Sequence, residues 1–299
     1  MDRLTVLPAS LSEGFESGTS LAQESQGETL INEEIYDDFY ASMYNKIFLT
    51  DKLSQAEAAI ALHDWTKLSK PEDMVLLDVG CGTGVATCYF AKQNLGKVIG
   101  LDRSKAMIRY AKNSVVPKTT LTEKQSSSLE WQMGDAYGPG TIAPSSVTHA
   151  CLLHFTIYEF RDIETLLRNM ALWVQPGGQL VIEVVNKYKF EPIPDIGNPW
   201  VGTTPQKYSK ERIVRAKATF DTFDYESEFD LEDPRAEFTE VFTFKDGTSR
   251  RQRHVIWMPS IKEITEKAAL TGWSYSKFMD LNMIGFTYGY LLFFTRNPN

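Results

Sequence analysis

The stretch Leu77-Asp78-Val79-Gly80-Cys81-Gly82-Thr83-Gly84 constrains this chain more tightly than any other feature. The apolar run from Met74 to Val79 reads as a buried parallel strand. It turns through glycines at alternate positions into Val85 to Gln93, whose pattern is that of an amphipathic helix. Glycines at such a turn give φ freedom and let a ligand approach the backbone at the positive N-terminal end of a helix. The spacing is G-x-G-x-G, and Val85 stands where a dinucleotide fingerprint needs its third glycine.

At 299 residues the chain can bury a sizeable core, as one large α/β domain or one domain with an elaborate insertion. Its net charge of −8 argues against tight non-specific binding to nucleic acid or to anionic membrane. No apolar run reaches the roughly 18 residues needed to span a bilayer. The first 30 residues are rich in Ser, Gly, Glu and Gln. They lack a basic region followed by an apolar core, and Asp2, Glu13 and Glu16 fit poorly with a transit peptide. This segment reads as a disordered or lightly docked tail. Cys81, Cys88 and Cys151 are too few and too scattered for a disulfide framework or a metal site, which points to a reducing, cytoplasmic setting.

Along the chain, Glu28 to Phe48 reads as a helix with Tyr36, Tyr40 and Tyr44 on one face. A second helix starts at Ser54, where Ser54 and Glu57 form a capping box, and ends before Pro71. Strands and helices then alternate: strand Met74–Val79, helix from Gly84, strand Lys97–Leu101, and helix Lys105–Asn113 capped by Ser104. Val116 to Ser128 reads as a polar surface loop. Strands follow at Leu129–Met133 and Ser146–Leu153, then a helix capped by Asp162, then strand Gln179–Val185. From about Lys187 to Met258 the period changes to two, with Asp246-Gly247 marking a hairpin between Phe238–Phe244 and Arg250–Trp257. Helix Ser260–Thr271 and strands Ser274–Asp280 and Tyr288–Thr295 resume the first pattern.

Such alternation implies right-handed crossovers and a parallel sheet covered by helices on both faces. The glycine loop with Asp78 on the strand before it, in this setting, resembles the cofactor loop of class I S-adenosylmethionine-dependent methyltransferases. The resemblance covers roughly Tyr36 to Arg296 and is weakest over the period-two block. It implies an α/β fold with a Rossmann-like seven-stranded sheet, six strands parallel and one antiparallel, and an antiparallel β insertion serving as a cap. The expected division is a tail at 1–27, an N-terminal helical lid at 28–70, a core at 71–187 and 259–299, and the cap at 188–258.

Ligands in open α/β sheets bind beyond the carboxyl ends of the strands, at the switch in strand order. The resemblance places S-adenosylmethionine against Gly80, Cys81, Gly82 and Gly84, with Asp78 organising the loop and approaching the methionine ammonium. Asp102, at the end of the next strand, can accept hydrogen bonds from both ribose hydroxyls. Asp135 offers an acceptor to the adenine amino group, and Ala136 a backbone amide to the ring. Arg103 and Met107 are candidates to flank the nucleoside, with plain surface and core duty as the alternatives. Leu153, followed by His154 and Phe155, comes near the methionine end. Tyr36 and Tyr40, ahead of Tyr44, resemble the lid of small-molecule methyltransferases, against the alternative of an ordinary aromatic stripe. Asp78 can equally cap its own turn.

A sulfonium methyl is already activated, so transfer needs an in-line nucleophile, exclusion of water and sometimes a base. His154 and His254 are the candidate bases, each with a pocket-wall or structural alternative. His63 and His149 read as structural. The fourth strand end lacks a carboxylate cluster, so no metal is expected. It also lacks an Asn/Asp-Pro-Pro-Tyr motif, and no aromatic–basic groove for single strands is visible. Trp200, Tyr208, Phe220, Phe223, Tyr225, Phe238 and Trp257 supply aromatics for a substrate pocket. Acids between Phe220 and Phe238 would favour an amine, or form a solvated hairpin face that pairs with Arg250, Arg251 and Arg253. The expectation is metal-independent methyl transfer to N or O of a small molecule by a monomer or homodimer, without nucleic-acid or membrane partners. The rivals are a protein or peptide methyltransferase, a catalytically inactive cofactor-binding regulator and, least favoured, a nicotinamide dehydrogenase.

Overall fold

The computed structural model describes residues 29–48, 50–192 and 211–298. In chain order the first elements are β1 (Leu30–Ile31), α1 (Asp38–Phe48), α2 (Thr50–Trp65), β2 (Val75–Val79), α3 (Val85–Ala91), β3 (Lys97–Asp102) and α4 (Lys105–Tyr110). Next come α5 (Glu123–Ser128), β4 (Leu129–Met133), β5 (Val147–Leu152), α6 (Ile163–Trp173) and β6 (Val174–Val185). The last are β7 (Arg215–Thr219), β8 (Phe223–Glu232), β9 (Arg235–Phe244), β10 (Ser249–Trp257), α7 (Ile261–Leu270), β11 (Trp273–Asp280) and β12 (Gly289–Arg296).

Seven strands form one sheet in the order β11-β12-β6-β5-β2-β3-β4. Only β12 runs against its neighbours, so six strands are parallel and one is antiparallel. Because β2, β3, β5 and the second half of β6 are covered on both faces, they read as largely apolar runs. Leu77, Val79, Leu152 and Ile182 pack on one face with Leu166, Met170, Ile264 and Ala268 from α6 and α7. Leu76, Val98, Cys151 and Val181 pack on the other with Ala58, Trp65, Ala86 and Phe90 from α2 and α3. Each fully buried Leu or Phe contributes roughly 1.5–3 kcal/mol. Strand order reverses at β2, which lies between β3 and β5, so the crevice opens above the carboxyl end of β2.

The period-two block forms a second sheet, ordered β1-β10-β9-β8-β7. Alternation puts Phe223, Tyr225, Ser227 and Phe229 of β8 on its buried face. The acids between them point outward, Glu226 pairing with Lys217, Glu228 with Arg215 and Asp224 with Lys245, and on β9 Glu237 pairs with Arg235 and Arg253. These acids are compensated and make a solvated hairpin face, while Arg250 pairs instead with Asp37. The hairpin at Asp246-Gly247 joins β9 to β10 as expected, with Gly247 at φ 86°. α1 lies between this sheet and α4, where Ile35, Tyr40 and Met107 pack against Phe223, Tyr225 and Phe242.

Local expectations fail at three places. The helix expected from Glu28 begins at Asp38, preceded by β1 and a 3-10 turn over Asn32–Ile35. β1 instead completes the second sheet, Leu30 lying opposite Gln252 in parallel register. Asp37 then caps the helix by accepting from Tyr40 N at 3.0 Å. α2 starts at Thr50, so Ser54 and Glu57 are helix-interior and buried and do not form a capping box. The expected loop at Val116 to Ser128 contains α5, capped by Thr122 and Gln125. That helix buries no side chain, so it carries no apolar period to read. Trp200 and Tyr208 lie outside the described residues, as does the tail at 1–27.

Candidate active site

The glycine loop is fixed from below by β3. The Gly80 and Cys81 amides both donate to the Leu101 carbonyl, at 2.8 and 3.0 Å. Asp102, at the end of β3, accepts from the Gly82 amide at 2.8 Å and from the Ser104 amide at 2.8 Å. Gly80, Gly82 and Gly84 all have positive φ. At Gly82, with φ 52°, a Cβ would meet nothing within 4 Å, so its Cα faces open space. A Cβ on Gly84 would fall 2.2 Å from the Trp131 ring, so that glycine serves helix–sheet packing.

Above the loop lies a small hollow lined by Asp78, Gly80, Cys81, Gly82, Thr83, Leu153, His154 and Thr156, with Tyr44 and Ser54 from the N-terminal helices. Asp78 is buried and accepts from Thr87 Oγ1 at 2.5 Å. Burial pushes its carboxyl up to about 6. Burial also raises Asp102, against the amides of Ser104 and Gly82 that favour its charged form. The donor set suits an amino-acid-tailed nucleoside: one carboxylate in the hollow can meet an ammonium, and another beside the loop can meet a diol. The open face of Gly82 leaves room for such a group.

A larger cavity adjoins the hollow and offers about 170 Å³ to the centres of water-sized groups, where one water needs roughly 10–15 Å³. Its walls include Tyr36, Tyr40, Tyr44, Phe48, Phe155, Phe190, Phe229, Phe238 and Phe286, together with His154, His254, Glu159 and Glu191. Tyr44 and His154 line both spaces. The N-terminal segment is tied to the loop region twice, by Ser104 Oγ donating to the Tyr36 carbonyl at 2.7 Å and by Thr83 Oγ1 donating to Asn45 at 2.6 Å. Of the expected aromatics, Phe238 faces the cavity. Phe220, Phe223 and Tyr225 pack behind α1, and Trp257 carries the Arg161 guanidinium 4.7 Å above its ring.

The two candidate bases sit in opposite environments. His154 and Phe155 occupy the turn after β5 with φ of 52° and 62°. His154 Nδ1 is buried without a partner, and burial lowers the imidazole to about 4. Beneath the turn, Glu183 accepts from the Phe155 amide, and Glu57 is buried with neither carboxylate oxygen partnered. Burial pushes Glu183 up to about 7 and Glu57 well above the usual carboxylate range. His254 instead faces the fully buried Glu240, with Nε2 to Oε2 at 2.8 Å. Tyr40 and Gln252 also donate to that oxygen, both at 2.7 Å, and Tyr225 donates to the other at 2.8 Å. Burial opposes charge on both partners, yet their mutual hydrogen bond and attraction win, raising His254 and lowering Glu240.

Arg103 lies at the surface paired with Glu33, and Met107 is buried against α1. Asp135 is exposed and accepts from the Tyr137 amide at 2.8 Å, beside the buried Ala136. None of these four lines either cavity. Sequence reasoning missed Glu240, Glu159, Phe190, Phe229 and Phe286. Glu240 had a readable signal: it shares the inward alternation of Phe238 and Phe242, where an acid must find partners. Among the described residues, no cluster of three His, Cys, Asp or Glu side chains is placed to hold a metal ion, and no helix is long and apolar enough to cross a membrane.

Sheet order, crevice and loop together define a Rossmann-like α/β protein. Residues 77–182 match the family described as a methyltransferase domain. Over 149 residues the chain is 26% identical to the dTDP-3-amino-3,4,6-trideoxy-alpha-D-glucopyranose N,N-dimethyltransferase of Streptomyces venezuelae. That match covers 50% of this chain and spans 58% of the relative's length. In structure, the chain is similar to the CcbJ methyltransferase from Streptomyces caelestis (TM-score 0.62, 14% identity, 88% of this chain and 98% of that one). It is also similar to CalS10 with S-adenosylmethionine bound, an amino pentose methyltransferase from Micromonospora echinaspora involved in calicheamicin biosynthesis (TM-score 0.54, 19% identity, 87% and 97%). Residues 77–182 thus carry a methyltransferase domain, set in a fold similar to those of these solved methyltransferases.

Proposed function

We propose that the protein transfers a methyl group from S-adenosylmethionine to N or O of a small molecule, without a metal. The observation that carries this reading is the junction of the two spaces: the hollow over the glycine loop and the aromatic cavity meet at Tyr44 and His154. When bound, the cofactor supplies an activated sulfonium methyl. Asp78 would meet its ammonium, Gly80 to Gly84 its backbone-facing edge and Asp102 its ribose, with Asp135 and Ala136 near the base. Tyr44 and His154 orient the two partners and exclude water between them. The low basicity of His154 supports a wall rather than a proton acceptor.

The lining supports a neutral or cationic, ring-bearing acceptor. Aromatic faces and Glu159 favour such a group, and no Lys or Arg lines the cavity among the described residues. Residues 28–70 and 188–258 would act together as the lid and cap, over a core formed by 71–187 and 259–299. A walled cavity disfavours a protein or peptide acceptor, which needs an open groove. The three cysteines are free thiols, which supports a reducing, cytoplasmic setting. Transfer of label from methyl-labelled S-adenosylmethionine to a panel of amines and phenols tests the proposal. Label on a panel member is the expected result. Cofactor binding without turnover on the panel or on a cell extract would favour the inactive regulator, and label found only on protein would favour the peptide reading.

A further inference from the structure

We infer that His254, on the cap sheet, accepts the proton of the methyl-accepting group, and that Glu240 is its fixed counter-ion and positioning residue. This rests on the methyltransferase reading above and assigns its proton. Of the four histidines, two reach the cavity. His63 is exposed, and His149 is buried against Trp65 with ring centroids 5.0 Å apart. His154 is held on a turn among Tyr44, Phe48 and Phe155 with its Nδ1 buried and unpartnered. A proton placed on that nitrogen would be buried with no acceptor to receive it.

His254 has the geometry that His154 lacks. Glu240 sits opposite Gln252 in the β9–β10 ladder, and Phe238 sits opposite His254, so the carboxylate and imidazole share the buried face. Glu240 accepts from four donors: His254, Tyr40, Gln252 and Tyr225. Those donors hold the carboxylate ionised and immobile in a fully buried site. Because Nε2 donates to Glu240, the neutral imidazole is the tautomer whose Nδ1 carries the free lone pair. Among the described residues, Nδ1 approaches only the Tyr36 hydroxyl, at 3.5 Å, too long for a strong bond. The Tyr36 proton is already committed to Glu159 at 2.8 Å. An acceptor hydroxyl or ammonium in the cavity can therefore take the place beside Nδ1.

The step balances as follows. The acceptor heteroatom bonds to the methyl carbon as that carbon's bond to sulfur breaks, the electron pair staying on sulfur as a neutral thioether. The acceptor's proton passes to His254 Nδ1, and the resulting imidazolium faces Glu240. Other charged or titratable groups facing His254 are Tyr36 and Tyr40 on the N-terminal segment, Glu159 beyond β5, and Arg250 on its own strand, held by Asp37 at 2.7 Å. The acids outnumber the one guanidinium, so the pocket favours a proton on this ring.

Histidine-labelled full-length protein, titrated by NMR from about pH 5 to 9, tests the inference without substrate or cofactor. The resonance lost in His254→Gln is expected to titrate above the ordinary 6.5, and its nitrogen shifts to report an Nε2–H neutral form. Glu240→Gln is expected to lower that midpoint by roughly one unit or more. A wild-type midpoint at or below 6.5, or an Nδ1–H neutral form, would overturn the inference even if Glu240→Gln failed to fold. With any acceptor the enzyme methylates, His254→Gln is expected to lower kcat/KM about 10²–10⁴-fold and remove the acidic limb of its pH profile. An unchanged limb would refute the role. Since the titration needs no cofactor, its failure leaves the methyltransferase reading standing, whereas failure to bind S-adenosylmethionine overturns that reading on its own.

Discussion

Asp102 holds two backbone amides, one from the glycine loop and one from the start of α4, while its carboxylate keeps lone pairs for a ligand diol. Asp102→Ala is expected to weaken S-adenosylmethionine binding by about 1.5–3 kcal/mol, the scale of lost charged hydrogen bonds, as read by calorimetry. Unchanged affinity would move the ribose elsewhere. Asp78 gives a second residue-scale test with a defined sign. Its folded-state value, about 6, lies above the ordinary 3.8, so ionisation costs stability. That cost is absent below about pH 3.8, grows between there and pH 6, and reaches roughly 3 kcal/mol above it. Asp78→Asn is therefore expected to stabilise the cofactor-free protein at pH 7.5 and leave it nearly unchanged at pH 4 in urea titrations, while weakening cofactor binding. Equal effects at both pH values would show that the carboxyl is not ionised reluctantly.

At the scale of elements, the N-terminal segment is joined to the second sheet, since β1 pairs with β10 and Tyr40 reaches Glu240. Tyr40→Phe removes one donor from a buried carboxylate and is expected to cost about 1–3 kcal/mol by urea denaturation. The His254–Glu240 pair makes this dependence pH-sensitive. Glu240 is depressed, so its contribution is present above its ordinary 4.5 and fades as pH falls through its folded value. His254 is raised, so its contribution is full below 6.5 and fades as pH rises through its folded value. The pair should stabilise most between about pH 4.5 and 6.5, and Glu240→Gln should flatten that maximum; an unaltered stability profile would contradict the pairing. The core strands were legible because β2, β5 and the second half of β6 are largely apolar, and β9 and β10 because they alternate on either side of Asp246-Gly247; β8, whose outward positions are acids, read only as a charged stretch. The entry to α1 was not legible, since two residues of parallel pairing with a strand some 220 positions later leave no local period. α5 escaped for the opposite reason, having no buried face at all.

Across the whole molecule, the reversal of strand order at β2 places the loop, Asp102 and the β5 turn at one end of the sheet, and the second sheet and the N-terminal helices line a cavity beside them. That convergence was readable because each residue sits at a strand end, so topology alone brings it to the crevice. His254 and Glu240 were harder, because their meeting depends on the register between β9 and β10 rather than on either strand's own pattern. Thermal unfolding of the purified protein with S-adenosylmethionine, S-adenosylhomocysteine, NAD or no ligand tests the central claim most directly. A ligand at 100 times its Kd adds about 2.7 kcal/mol to the native state, a rise of several degrees in Tm for a chain of this size. The expected result is that rise with both sulfur nucleosides and none with NAD. A shift with NAD alone, or with none of the three, would contradict the assignment of the glycine loop as an S-adenosylmethionine site.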